Sequence, residues 1–251
     1  FRRVLFRSRS GCTKCMQILL NHGGDVNIRS AKKRLTLLHV IGASKASKER
    51  NLDALQFVIS KGADIEALDM DGQSPLHVFV SEGRCEGADA LIKAGARLSQ
   101  AGSVINLPLL MVAISANNAR MIDLLLESGT DLTAERHCGL NALHWAAHVN
   151  CEFAVRRLVQ SGMPINAQQS HLTHAEPSWE SLERFTPGRT ALHEAVSNQN
   201  VGMVKYLISA GAAANVPDAR GQTARDLAQK TGCPRIMQLL PSETRRKQGC
   251  T

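Results

Sequence analysis

DMDGQSPLHVFVSEGRCEGADALIKAGARLS, residues 69–99, is the stretch whose reading decides the fold. Asp69, Met70, Asp71 and Gly72 form a turn signal, because Asp side chains bond their own backbone and Gly accepts a positive φ. Ser74 then offers an N-cap hydroxyl, and Pro75 suits the first helical position, where its missing N–H is not needed. Leu76, Val78, Phe79 and Val80 supply an apolar face over about two turns. Gly83 interrupts that run. A second helix carries Ala88, Leu91 and Ile92, and Gly95 ends it in a left-handed conformation. One turn and two short antiparallel helices cannot bury their own apolar face, so the unit must stack on copies of itself.

Copies lie on both sides. Helix-ending glycines fall at Gly23, Gly62, Gly95, Gly129, Gly162 and Gly211, with separations of 39, 33, 34, 33 and 49 residues. A recurring period near 33 is the mark of a stacked-repeat architecture. Ser74-Pro75-Leu76-His77 resembles the TPLH motif of ankyrin repeats, and Lys93-Ala94-Gly95-Ala96-Arg97-Leu98 resembles the ending of their second helix. The resemblance implies an all-α fold, an ankyrin-repeat solenoid of stacked helix-turn-helix units with projecting hairpin loops. It also implies a module that binds other macromolecules and has no chemistry of its own.

The glycines set the register. Residues 1–8, FRRVLFRS, carry no trace of the motif that should begin near Arg2 and resemble the translation of a sequencing-adapter oligonucleotide; they are expected to lie outside the fold. Residues 9–240 are read as the array, a partial first repeat followed by six repeats, and the chain as a fragment of a longer array. Repeat two has Thr36-Leu37-Leu38-His39 and an expanded inter-helix loop from Gly42 to Asn51. Repeat four departs most, with Pro108-Leu109-Leu110-Met111 in place of the motif. Repeat five has Asn141-Ala142-Leu143-His144, and an insertion at about 168–185 follows it. Repeat six has Thr190-Ala191-Leu192-His193. Repeat seven has the most polar first helix, as a terminal cap requires. Residues 241–251 are a short basic tail.

Composition narrows the function. The chain of 251 residues is 43% hydrophobic but 4% aromatic, which suits small interlocking helices. No apolar run reaches the 18 or so residues of a membrane span. Seven cysteines, an odd number at irregular spacing, suggest free thiols in an intracellular compartment, cytoplasmic or nuclear. The formal charge is +8; without Arg2, Arg3 and Arg7, 27 basic side chains face 22 acidic ones, a charge of +5. No aromatic residue interleaves the basic cluster of Lys32, Lys33, Arg34, Lys45, Lys48 and Arg50, so a nucleic-acid partner is not expected. An acidic patch on a protein partner fits that cluster better, as does a merely solvated rim.

Candidate chemistry is sparse. His39, His77, His144 and His193 recur at one repeat position, and the resemblance implies structural histidines that bond between neighbouring repeat loops. Met111 fills that position in repeat four, which should make its junction the softest in the middle of the array. His144 and His148 stand i, i+4 with Cys151 beyond, but Asn150 should break the helix between them, so no zinc site is expected. Cys12 and Cys15 have CxxC spacing without a second pair. No phosphate loop or nucleophile elbow occurs. No catalytic residue, cofactor, metal or small-molecule substrate is expected. Asn27, Asn166 and Asn215 are read as hairpin asparagines bonding their own loops.

The expected function is a non-enzymatic protein–protein interaction scaffold or adaptor that binds a protein partner along the concave face of hairpins and first helices. The alternative is the targeting arm of a larger enzyme: a ubiquitin ligase, a kinase or a microbial effector. Positions carried over from the resemblance give Met70, Asp71 and Gln73 in repeat three, and Val104, Ile105 and Leu107 in repeat four. They give His137, Leu140, Trp145 and His148 in repeat five, and Arg189 and Asn198 in repeat six. Val104, Ile105, Leu107, Leu140 and Trp145 are apolar where water is usual, so they either anchor a partner or, in repeat four, fold back onto the core. Trp179, Leu182 and Phe185 in the insertion either dock on the array or meet a partner.

Overall fold

A computed structural model describes residues 17–18, 20–44, 48–99, 107–133, 139–170 and 186–241, the side chains of 48–50 excepted. Val104, Ile105, His137, Cys138, Cys12, Cys15, His171, His174, Trp179, Leu182, Phe185, Asn106 and Lys45 lie outside the described residues, as do residues 1–8 and 242–251. Among the described residues every regular element is a helix, and the chain divides into two compact units, Phe1–Asp131 and Leu132–Thr251.

In the first unit, three helix pairs repeat: α1 (Leu37–Gly42) with α2 (Lys48–Ser60), α3 (Pro75–Ser81) with α4 (Cys85–Lys93), and α5 (Leu109–Ser115) with α6 (Ala119–Glu127). First helices pack on first helices, α1 on α3 on α5, and second on second, α2 on α4 on α6. The second unit repeats the plan with α7 (Ala142–His148) and α8 (Glu152–Gln160), α9 (Ala191–Ser197) and α10 (Val201–Ser209), and α11 (Ala224–Thr231) and α12 (Pro234–Leu239). There α9 packs on α7 and α11, and α10 packs on α12.

The caps are those the sequence offers. The Ser74 hydroxyl accepts from the His77 N–H, and the Asn141 amide oxygen from Leu143 and His144 N–H. Asn118 and Asn200 cap the second helices α6 and α10 in the same way. Pro108 has no side-chain acceptor, so α5 starts without a cap bond. Repeat two is more helical than expected: Gly42 closes α1, and Lys48 to Asn51 already belong to α2 rather than to a loop. At the start of the expected insertion, Gln169 N–H donates to the Arg189 carbonyl at 2.8 Å and Ser170 N–H to that of Gly139 at 3.2 Å.

Phe79 shows what tertiary packing asks of neighbouring residues. Its ring is 2% exposed and is the largest of the fully buried side chains. A Cβ on Gly87 would stand 2.2 Å from that ring and one on Gly42 2.9 Å from it. Two missing methyl groups, one on α4 and one at the end of α1, make the space that the benzyl group fills.

Candidate functional site

The recurring histidines are the clearest case for structure over chemistry. His39 Nδ1 accepts the Thr36 N–H at 3.2 Å, while its Nε2–H donates to the Gln73 carbonyl at 3.0 Å in the next repeat. His193 does the same with Thr190 N–H at 3.1 Å and the Gln222 carbonyl at 3.2 Å. His144 Nε2 reaches the Ala167 carbonyl at 2.9 Å. A ring whose Nδ1 accepts and Nε2 donates is neutral. Burial lowers the pKa of His39 and His193, and takes that of His77 down to about 4 against the opposing pull of Asp69. The rings of His39, His144 and His193 tie their first helices to the following hairpin. Met111 has no nitrogen for such a bond and is instead fully buried. In repeat seven Asp226 takes over the capping half, accepting from Thr223 N–H at 2.8 Å; that bond, with the one from the Thr223 hydroxyl, lowers its pKa.

Asn27 and Asn166 also link repeats, and not their own loops as expected. Asn27 Oδ1 accepts Asp64 N–H at 2.7 Å, and Asn166 Oδ1 accepts Ala213 N–H at 2.8 Å. Each amide crosses to the turn that ends the next second helix.

The expected contact residues separate into three groups. Met70 and Asp71 are exposed at a hairpin tip, Met70 at 63%. Gln73 and Leu107 are half-buried. Leu140 does not belong on an exposed face: it is 0% exposed. It stands at N′, directly before the N-cap Asn141, where an apolar side chain turns in to pack against its helix. Asn198 is exposed, but its amide donates to the Ala147 and His148 carbonyls at 3.1 and 2.8 Å and closes the end of α7.

Trp145, His148 and Arg189 converge. The Trp145 and His148 rings stack with centroids 5.6 Å apart and planes 26° apart. His148 Nδ1 lies 3.2 Å from Glu194 Oε2. Arg189 Nη1 donates to the other carboxylate oxygen, Oε1, at 3.4 Å and to the Ser197 hydroxyl at 3.4 Å, and Arg189 Nε lies 3.8 Å from Asp218 Oδ2. Glu194 is 2% exposed. A buried carboxylate held between an imidazole and a guanidinium fixes the spacing of α7, α9 and the following hairpin, at the side of the first helices. Sequence reasoning passed over Glu194. Its signal was present: Val78, Val112 and Trp145 hold the same repeat position, and a carboxylate five residues after Arg189 stands out among them.

No other described region gathers groups in this way. A groove of about 720 Å³ on the backs of α2, α4 and α6 is lined by Leu52, Ile59, Ala90 and Leu124, and its charges pair off, Arg120 with Glu86 at 2.8 Å and Lys93 with Asp89 at 2.7 Å. Among the described residues no three His, Cys, Asp or Glu side chains are placed to hold a metal ion, and no helix is long and apolar enough to cross a membrane.

Comparison with known proteins adds the family. Profiles described as "Ankyrin repeats (3 copies)" and "Ankyrin repeats (many copies)" match residues 6–102 and 143–208, together more than half of the chain. Human ankyrin repeat and SOCS box protein 16 is 26% identical over 226 residues, covering 87% of this chain and 45% of that protein. Human palmitoyltransferase ZDHHC13 is 24% identical over 221 residues, covering 80% of this chain and 35% of that protein. The chain thus spans less than half the length of these curated relatives. The crystal structure of the human ASB11 ankyrin repeat domain superposes with a TM-score of 0.74 at 17% identity, covering 96% of this chain and 98% of that one. Ankyrin repeats are protein-interaction modules without catalysis of their own. Helix pairs at a period near 33, the histidine ties between repeats, and these matches agree: the chain belongs to the ankyrin-repeat family.

Proposed function

We propose that this chain is a non-enzymatic scaffold or adaptor that holds a protein partner along its hairpin tips and the outward sides of its first helices. The observation that carries the reading is the cluster on α7 and α9. Trp145 is half-buried and stacked on His148, and Arg189 lies beside them, held by Glu194. Trp and Arg dominate the few residues that supply most interface energy, and both keep that role only when pre-positioned. An intracellular setting is part of the proposal, supported by Cys85, Cys151 and Cys233, which form no disulfide among the described residues. Affinity capture with the wild type and Trp145→Ala, both checked by circular dichroism, tests it. The expected result is a partner lost from the variant without a change of fold; undiminished recovery moves the site elsewhere.

A second reading makes the chain the targeting arm of a larger enzyme. It is supported by the match to a palmitoyltransferase of which the chain spans 35%. Sequencing the complete reading frame decides it: a catalytic domain on the same polypeptide favours the arm, and an array alone favours the adaptor.

A further inference from the structure

Arg34 occupies a backbone position at which repeats three, five, six and seven use glycine. In those four repeats the residue two before the first-helix N-cap has a positive φ: Gly72 at 73°, Gly139 at 70°, Gly188 at 78° and Gly221 at 73°. In repeat two that residue is Arg34, at 53°. A side chain there meets the following carbonyl oxygen, so an arginine is disfavoured relative to glycine. The turn does not need it: Ser30 and Leu35 exchange the closing bonds, with Ser30 N–H to the Leu35 carbonyl at 2.9 Å and Leu35 N–H to the Ser30 hydroxyl at 3.0 Å. An arginine kept where the turn asks for a positive φ that glycine meets without strain points to a use for its side chain.

That side chain is the third cation of an exposed tip, Lys32-Lys33-Arg34. Among the described residues no carboxylate pairs with any of the three. The next hairpin is tied to this one by Met70 N–H donating to the Lys33 carbonyl at 3.0 Å. Arg29, paired with Asp64 at 3.8 Å, also donates to the Leu68 carbonyl at 3.3 Å. The second tip presents two large apolar side chains to water, Leu68 at 42% and Met70 at 63% exposed. Cations and apolar groups therefore sit side by side on two tips locked in register.

We propose that this edge docks an acidic segment of a protein partner that carries apolar side chains, its carboxylates meeting Lys32, Lys33 and Arg34 and an apolar side chain covering Leu68 and Met70. The proposal rests on the reading of the chain as a protein-interaction module and names the chemistry of one part of its partner. Protein is favoured over nucleic acid because the apolar groups are aliphatic, with no ring for a base to stack on.

The test measures binding of a short fluorescein-labelled peptide of alternating Glu and Leu to the full chain. An all-Glu peptide, a Lys/Leu peptide, phosphatidylserine-containing vesicles and polyuridylate RNA serve as competing probes. The Glu/Leu peptide is expected to bind most tightly and to weaken with added salt. Arg34→Gly should weaken it about two- to fivefold, the worth of one exposed charge, while raising the melting temperature by about 2–4 °C as the strain is relieved. Met70→Ser should weaken it without altering its salt dependence. Equal binding by Arg34→Gly and wild type overturns the proposal, as does tighter binding of vesicles or RNA, or an all-Glu peptide that matches the Glu/Leu one. If the peptide fails while partner capture still depends on Trp145, this edge alone is wrong; capture indifferent to Trp145 removes the broader reading.

Discussion

Gln73 and Arg189 hold the same place in their repeats, directly before the N-cap of a first helix, and they do different work. Gln73 serves through its backbone, its N–H on Asp69 Oδ1 at 2.8 Å and its carbonyl accepting from His39. Arg189 uses its carbonyl in a hairpin bond as well, but its guanidinium runs inward to Glu194 and Ser197. The first unit thus keeps its conspicuous charge outside, on the Lys32-Lys33-Arg34 tip, whereas the second places a carboxylate under its first helices and must neutralise it there. Exposed charge steers a partner and costs the fold little; buried charge fixes spacing and is costly when its partner is removed.

The largest effect should come from what the two units share. Leu76→Ala in the first unit and Leu143→Ala in the second each truncate a leucine 0% and 1% exposed, and each should cost about 2–5 kcal/mol in urea unfolding. Because neighbouring repeats support each other, Leu143→Ala should also speed hydrogen exchange in α9 to α12. Loosening confined to α7 and α8 would show that the repeats are less coupled than the packing implies.

Acid should act next. His77 stays neutral in the fold down to about pH 4, whereas the unfolded chain takes up a proton near 6.5. Its contribution is therefore full above pH 6.5 and is lost as the pH falls from 6.5 towards 4, by roughly 3 kcal/mol in all. His39 and His193, also lowered by burial, act in the same direction. Unfolding midpoints at pH 7 and pH 5 check the sign, and NMR titration of His77 should find no protonation at pH 5.5. A protonated His77 at that pH would contradict the burial argument.

The Gln73 and Arg189 comparison itself can be broken by one substitution at each place. Arg189→Met should cost about 2–3 kcal/mol, since it leaves Glu194 buried beside His148 alone; this is somewhat below the cost of a fully buried pair because Arg189 is 15% exposed. Gln73→Met should lie within about 0.5 kcal/mol of wild type, as a surface change does. Equal costs would mean that the guanidinium contributes nothing beyond its alkyl packing.

The smallest effect concerns the turn between paired helices. Gly83, Asn117 and Asn150 take a positive φ there, residues that tolerate it, but repeat six uses Gln199 at 55°. Gln199→Gly should stabilise the second unit by about 0.5–1 kcal/mol, seen as a higher denaturation midpoint. No gain would show that the glutamine side chain offsets its strain.

Much of the fold was legible. Gly95, the Ser74 cap and the 33-residue period are local signals, and local backbone preference decides them. Expectations failed where the deciding neighbour was distant in sequence. Leu140 reads as an exposed apolar residue by its repeat position, but its burial depends on the packed start of α7. The start of α2 at Lys48 was obscured by a polar composition that resembles a loop. Glu194 could be read as a charge on a first helix, but its pairing with His148 requires residues 46 positions apart to meet.

By itself, then, the sequence determined the repeat, the helix pairs, the caps and the family resemblance, because each rests on spacing and on the φ, ψ preferences of nearby residues. Only the tertiary structure decided which side chains the stacking buries, that Asn27 and Asn166 bridge to the next repeat, and that Trp145, His148, Glu194 and Arg189 form one cluster. Stacking brings repeats together through contacts that no local preference encodes, and burial then gives those contacts their electrostatic weight.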